Sequence, residues 1–229
     1  PQLHPGEGVQ ALVLCPTREL AEQILMVLRD FAKPLKLRTT AVYGGVSMNP
    51  QTNALRSADI VVATPGRLLD HMSRNSIDLS TVRFTILDEA DRMLDMGFLP
   101  DVSQILEACP KQRQTLLYTA TLPLEVTALA EKFMDTPMKL KAGVYVDPKL
   151  LKQVYYDVQG NMKFSLLVHL LKQEHDGLIM VFCNSRRFVD SIEKGLKQNG
   201  VDALAIHGGL TQAARQKVLN RFHKGHAFV

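Results

Sequence analysis

The chain of 229 residues is 46% hydrophobic and 22% charged, a balance that supports a buried core and excludes a disordered polymer. Lys and Arg together outnumber Asp and Glu by 27 to 23, a mild basic bias towards anionic partners. The bias is concentrated in residues 142–229, with 12 basic and 7 acidic residues, against 15 and 16 before them.

Along the chain, short aliphatic bursts alternate with helical spacing. Residues Ala11–Cys15 predict a first strand, and Leu20, Ile24, Val27, Leu28 and Phe31 predict a helix over Arg18–Phe31. Further strands are expected at Thr39–Tyr43, Asp59–Ala63, Phe84–Asp88 and Gln114–Tyr118, with helices over Val102–Ala108 and Glu125–Phe133. The strands are aliphatic and β-branched without alternation, as parallel strands covered on both faces are, so the fold class is α/β. Lys141–Pro148 breaks the rhythm with Gly143 and Pro148, and residues 142–148 are the expected linker between domains 1–141 and 149–229. Beyond it, helices over Lys163–Lys172, Arg187–Gln198 and Thr211–Phe222 flank expected strands at Leu178–Phe182 and Ala203–His207.

Cys15, Cys109 and Cys183 lie far apart with no CxxC pair, which argues against a disulfide framework or a zinc site. No run approaches the roughly 18 apolar residues of a membrane span. A soluble, intracellular monomer away from the membrane is expected.

Chemistry is densest in Ile86-Leu87-Asp88-Glu89-Ala90-Asp91, where an apolar strand runs into carboxylates. Strand ends are where α/β proteins place their sites. One carboxylate there can hold Mg²⁺ through water while its neighbour orients or deprotonates an attacking water. A solvated acidic turn is the competing reading. Elsewhere a strand ends in a hydroxyl and an Arg at Pro16-Thr17-Arg18-Glu19, and again at Thr64-Pro65-Gly66-Arg67, where a Gly bares the backbone. Such corners bind phosphate oxygens. The alternatives are N-capping by Thr17 and Thr64, and a helical ion pair between Arg18 and Glu22. Gly44-Gly45 reads equally as a turn needing positive φ.

These strings, in this order, resemble the DEAD-box family of superfamily 2 helicases along essentially the whole chain. Pro16-Thr-Arg-Glu-Leu-Ala-Glu-Gln23 is similar to the family's motif Ia, Gly44-Gly45 to its GG element and Thr64-Pro-Gly-Arg67 to motif Ib. Asp88-Glu-Ala-Asp91 spells the family name. Thr119-Ala-Thr121 is similar to motif III, with Thr in place of the usual first Ser. Val181-Phe-Cys-Asn184 resembles motif IV, and His207-Gly-Gly209 followed by Gln212-Ala-Ala-Arg215 matches the glycine turn and QxxR element.

The resemblance implies two RecA-like domains around ATP and Mg²⁺, with single-stranded or short duplex RNA bound across them. Asp88 would hold Mg²⁺ through water, Glu89 would activate the hydrolytic water, and Thr119 and Thr121 would hydrogen-bond Asp91. RNA backbone contacts are implied for Pro16, Thr17, Arg18, Glu19, Gly44, Gly45, Thr64, Pro65, Gly66, Arg67, Asn184, Arg186, Gly208, Gln212 and Arg215. Arg187 and Lys217 read better as a solvated basic face, and His207 as a turn residue. The Walker A signature GxxxxGK[ST] occurs nowhere in the sequence, and the arginine-bearing motif VI is missing after Val229. The expectation is therefore a piece of a longer RNA helicase, both domains truncated, with negligible ATP turnover of its own. Two alternatives stand beside it: a non-catalytic RNA-binding or annealing module, and a P-loop ATPase acting on DNA or protein.

Overall fold

The computed structural model describes residues 2–141, 151–174, 177–225 and 228–229. It divides into two compact units between Leu140 and Lys141. The expected linker, 142–148, lies outside the described residues.

The first unit is a five-stranded sheet, all parallel, in the order β2-β3-β1-β4-β5. Its strands are β1 (Ala11–Leu14), β2 (Thr39–Val42), β3 (Ile60–Ala63), β4 (Phe84–Leu87) and β5 (Gln114–Leu117). The strands β1 and β3 are buried throughout, as their unbroken aliphatic sequences require. The strands β1, β2, β4 and β5 end one residue earlier than expected, while β3 ends at Ala63 as expected and begins one residue later, at Ile60.

Leu12 and Leu14 point to one face with Val61, Leu87, Ile105, Leu106 and Val126. Val13 and Cys15 point to the other, against Ala21, Leu20, Ile24 and Leu28 of helix α1 (Arg18–Ala32). Pleating thus makes one strand serve two apolar layers. The other helices of the unit are α2 (Met48–Leu55), α3 (Pro65–Ser73), α4 (Ala90–Asp95), α5 (Leu99–Ala108) and α6 (Leu124–Phe133).

Register then determines where the site lies. Leu14 pairs with Ala63 on one side and Leu87 on the other; Val42 pairs with Ala63, and Leu87 with Leu117. All five strands therefore end level, and the residues after them emerge at a single carboxyl edge.

The second unit carries helices α7 (Lys163–Gln173), α8 (Arg186–Gln198) and α9 (Gln212–His223). Its small core is Leu171, Ile192, Leu196, Val201 and Ala203, with Phe164 packed on it. Gly195 is required there, since a Cβ would stand 2.6 Å from Phe164 Cζ. The strands expected at Leu178–Phe182 and Ala203–His207 do not form among the described residues. Among the described residues those segments make isolated backbone bonds, Ile179 N to Phe228 O (3.0 Å) and Leu204 N to Val229 O (2.9 Å), beside the turn bond from Leu210 N to His207 O (3.2 Å).

Candidate functional site

The acidic string sits where the strand order reverses around β1. Asp88 follows β4 and donates its N–H to Leu14 O at 2.9 Å, so its position is fixed by the strand beside it. Its Oδ1 accepts the Glu89 N–H at 3.0 Å. Glu89 caps α4 in the left-handed region, at φ 50° and ψ 53°. That conformation costs a non-glycine residue about 1–2 kcal/mol, and at a strand-to-helix corner it swings the side chain out of the helix line. Glu89 Oε2 meets Arg92 Nη1 at 3.3 Å.

The hydroxyls after β5 close on the same string. Asp91 Oδ2 accepts the N–H and the hydroxyl of Thr121, the Asp91 N–H donates to Thr119 Oγ1 at 3.2 Å, and Thr119 donates to Thr121 O at 2.5 Å. Two consecutive strand ends, β4 and β5, are thereby tied together outside the sheet. Beneath them the Cys15 thiol is pushed up to about 12 by burial and by the charges of Asp88 and Glu89. It serves as an apolar floor.

At the other side of the edge, Thr17, Arg18, Gly45 and Arg67 form a second cluster. Thr17 caps α1, accepting the Leu20 N–H at 3.3 Å, and Pro16 is buried before it. Thr64 occupies the cap position of α3 but makes no side-chain cap bond; Pro65 at the first helical position has no N–H to satisfy. A Cβ on Gly66 would stand in open space. Glu19 lies in the first turn of α1.

Gly45 carries φ +80°, and a Cβ there would fall 2.0 Å from Arg18 Nη1. Arg18 therefore lies against Gly45. Glu22, the alternative partner suggested by helical spacing, is engaged by the Tyr43 hydroxyl. Burial and that Glu22 contact push the Tyr43 phenol up to about 12. Arg67 Nη1 donates to Val46 O at 3.1 Å, binding the third corner to the glycine loop.

Gln51 was not singled out from the sequence. It is buried on α2, its Oε1 accepts the Tyr43 N–H at 3.0 Å, and its Nε2 donates to Tyr43 O (3.3 Å) and Ser47 O (3.1 Å). A Gln six residues after a glycine pair carries no spacing signal of its own; only the folded loop reveals its role.

In the second unit, Ser185 caps α8, accepting the Phe188 N–H at 3.2 Å, with exposed Asn184 just before it. The Arg186 guanidinium lies along the glycine turn, 3.3 Å from where a Gly208 Cβ would stand. Thr211 caps α9, accepting the Ala214 N–H at 3.3 Å, and Gln212 and Arg215 occupy the first turn of that helix. His207, read as a turn residue, bridges the turn and α8: its Nδ1 accepts the Gly209 N–H at 3.1 Å and its Nε2 lies 2.9 Å from Asp190. The residues of each unit thus come together within that unit.

Residues 2–129 match the family model for the DEAD/DEAH box helicase, and residues 162–229 that for the helicase conserved C-terminal domain. DEAD-box ATP-dependent RNA helicase CshA of Bacillus cereus is 42% identical over 222 residues, 96% of this chain and 42% of that protein. DEAD-box ATP-dependent RNA helicase 20 of Arabidopsis thaliana is 42% identical over 98% of this chain and 46% of its own length. Among solved structures, a DEAD box protein from the hyperthermophile Methanococcus jannaschii matches at 41% identity and TM-score 0.57, over 99% of this chain and 61% of that one. An S. cerevisiae dbp5 variant bound to gle1 and ip6 matches at 28% identity and TM-score 0.73, over 99% of this chain and 57% of that one. The chain spans about half the length of the curated relatives it matches. On the family-model match and the geometry of its carboxyl edge, this chain belongs to the DEAD/DEAH box helicase family.

Proposed function

We propose that the chain is the middle of an ATP-dependent RNA helicase, coupling ATP hydrolysis to the opening of short RNA duplexes. The observation that carries this reading is the lock between Asp91, Thr119 and Thr121, beside Asp88 and Glu89 on an edge that also holds Arg18, Gly45 and Arg67. One edge then offers carboxylates for a metal–nucleotide complex and cationic, backbone-rich corners for a phosphodiester chain.

In this reading Asp88 would hold Mg²⁺, which would offset the phosphate charge, and Glu89 would orient the attacking water and take its proton at the side-chain carboxylate. ATP supplies the phosphoryl group and the free energy that opens the duplex. Thr119 and Thr121 fix Asp91, so a shift after β5 is transmitted to the acidic string after β4. Arg18 and Arg67 contact phosphate oxygens while Thr17 and Pro65 shape the corners from which they project. In the second unit Asn184, Arg186, Gly208, Gln212 and Arg215 supply further backbone contacts. Contacts of this class give affinity with little sequence preference.

The sequence contains no GxxxxGK[ST] loop, so the β- and γ-phosphates lack their backbone cradle and lysine, and this chain alone turns over ATP negligibly. That feature favours, as second reading, an RNA-binding module without turnover. The deciding measurement is RNA-stimulated ATP hydrolysis by this chain and by a version extended to include the loop and the arginine motif, each with a Glu89→Gln control. Turnover in the extended protein alone, abolished by Glu89→Gln, is expected. Absence of turnover in both, with RNA still bound, replaces the helicase by the binding module.

A further inference from the structure

His207 is set into the second unit by two directional contacts that its neighbours require. Its Nδ1 accepts the backbone N–H of Gly209 at 3.1 Å, so Nδ1 carries no hydrogen and the neutral ring bears its hydrogen on Nε2. That Nε2–H points at Asp190 Oδ1, 2.9 Å away on α8. The ring also fills the space beside the turn, since a Cβ on Gly209 would stand 3.0 Å from Nδ1. Arg186, one helical turn before Asp190 on α8, lies over the same two glycines, 3.3 Å from a Gly208 Cβ and 3.7 Å from a Gly209 Cβ.

We propose that His207 is a positioning residue for RNA binding by the second unit. Through the Gly209 N–H it holds the Gly208–Gly209 turn in one conformation, and through Asp190 it holds α8 so that Arg186 stays over that turn. This role rests on the helicase reading above, in which Gly208 and Arg186 contact the RNA backbone. Two features separate it from an ordinary turn histidine. The ring both closes its own loop at Gly209 and reaches a second element at Asp190, and each ring nitrogen has a distinct partner, so the tautomer is fixed. Without the ring, the turn loses the acceptor for its Gly209 amide, and the glycine pair is free to adopt the many conformations open to Gly.

The two halves of the contact can be removed separately. In His207→Asn the amide oxygen takes the place of Nδ1 and still accepts from Gly209, while Asp190 is out of reach. In His207→Gln the amide nitrogen reaches Asp190, and the Gly209 N–H is left without its acceptor. The probe is a fluorescently labelled single-stranded oligouridine, its affinity for the whole chain read by anisotropy at low salt, with Arg215→Ala as reference. Binding by wild type that weakens about fivefold in His207→Gln, which frees the turn, and about as much in His207→Asn, which frees α8, is expected. The Gly209 amide resonance should move in the Gln variant only, a signature that simple loss of fold would not produce. Equal affinities for wild type and both histidine variants, with Arg215→Ala weakened, overturn the role of His207 and leave the RNA reading intact. Failure of the wild-type chain to bind oligouridine overturns both together.

Discussion

A single carboxylate oxygen of Asp91 accepts both hydrogen-bond donors of Thr121, its backbone N–H and its hydroxyl, each at 2.8 Å. Desolvation acts to raise the Asp91 carboxyl, but the Thr121 hydroxyl and amide, with Thr119 and the Arg92 N–H, outweigh it and hold the carboxyl below its ordinary 3.8. The unfolded carboxyl takes up its proton at higher pH than the folded one. The stability this provides is therefore complete above about pH 4 and is lost as pH falls from there towards the folded value. Thr121→Val removes one of the two bonds and should move the Asp91 carboxyl upward, narrowing that acid window, whereas Thr121→Ser should leave it in place. A carbon-detected NMR titration of the side-chain carboxyl reads this directly, and identical titration of Asp91 in the Val variant and wild type would show that the lock is not formed.

The glycine pair separates into two roles. Gly45 needs its left-handed φ of +80° and gives its Cβ space to the Arg18 guanidinium; Gly44 needs neither, as a Cβ there would sit 3.7 Å from Arg18 Nη2. Gly45→Ala should cost about 1–2 kcal/mol in backbone strain and displace Arg18 as well, while Gly44→Ala should be nearly neutral. Urea unfolding of the two variants tests the difference. Equal midpoints would sink the claim that Arg18 occupies that space.

Behind the same corner, Gln51 fills both its donor and acceptor roles on the loop it holds. Gln51→Ala leaves the Tyr43 N–H without its acceptor inside a buried site, which costs about 1–3 kcal/mol. Gln51→Glu keeps the acceptor but loses the amide donor to the Tyr43 and Ser47 carbonyls, and should be destabilised too. A midpoint for Gln51→Ala within a few tenths of a kcal/mol of wild type on urea unfolding would show the loop held by other means.

Much of the carboxyl edge is legible in the sequence because strands of a parallel sheet end level. With the strands read as ending at Cys15, Ala63, Asp88 and Tyr118, within one residue of the paired ends Leu14, Ala63, Leu87 and Leu117, the motifs that follow share one edge. The helices α2, α3 and α4 are not legible. Met48–Leu55 is polar with an internal Pro50, and Pro65–Ser73 and Ala90–Asp95 are too short for apolar periodicity to show. Gln51, the pairing of Arg18 with Gly45, and the anchoring of His207 also escape, since each depends on residues brought together by the loop conformation. In the second unit the aliphatic bursts are present as sequence, yet Leu178, Met180 and Phe182 stay exposed and form no strand among the described residues. Among the described residues, Leu178–Phe182 and Ala203–His207 make isolated bonds, Ile179 to Phe228 and Leu204 to Val229, and no ladder.

His71 supplies a pH dependence of its own. It is fully buried on α3, its Nδ1 lies 2.7 Å from Ser76 Oγ, and its Nε2 has no hydrogen-bond partner among the described residues. Burial, with the charges of Arg67 and Arg74 against that of Asp70, holds its pKa below the ordinary 6.5. The unfolded imidazole binds a proton first, so stability is unaffected above about pH 6.5 and falls as pH drops from there towards the folded value. Melting temperature measured from pH 7.5 to pH 5.5 should fall more steeply for wild type than for His71→Gln, which has nothing to protonate in this range. Parallel curves would show that His71 takes its proton without cost.

The three thiols should differ sharply in reactivity. Cys15 is fully buried at the end of β1, where burial and the charges of Asp88 and Glu89 push its thiol up to about 12. Cys109 is buried after α5, and burial outweighs nearby Arg113 to push it up to about 11. Cys183 is only partly buried, on the extended segment before α8. Since the thiolate is the nucleophile, a buried thiol held that high is inert at neutral pH. Brief iodoacetamide treatment of the native chain at pH 8 should therefore label Cys183 alone, with Cys15 and Cys109 labelled only after denaturation, as read by peptide mass spectrometry. Cys15 is the informative site: it lies directly beneath the acidic string, so its labelling in the native chain would mean that Asp88 and Glu89 rest on an opening edge and not on a closed apolar floor.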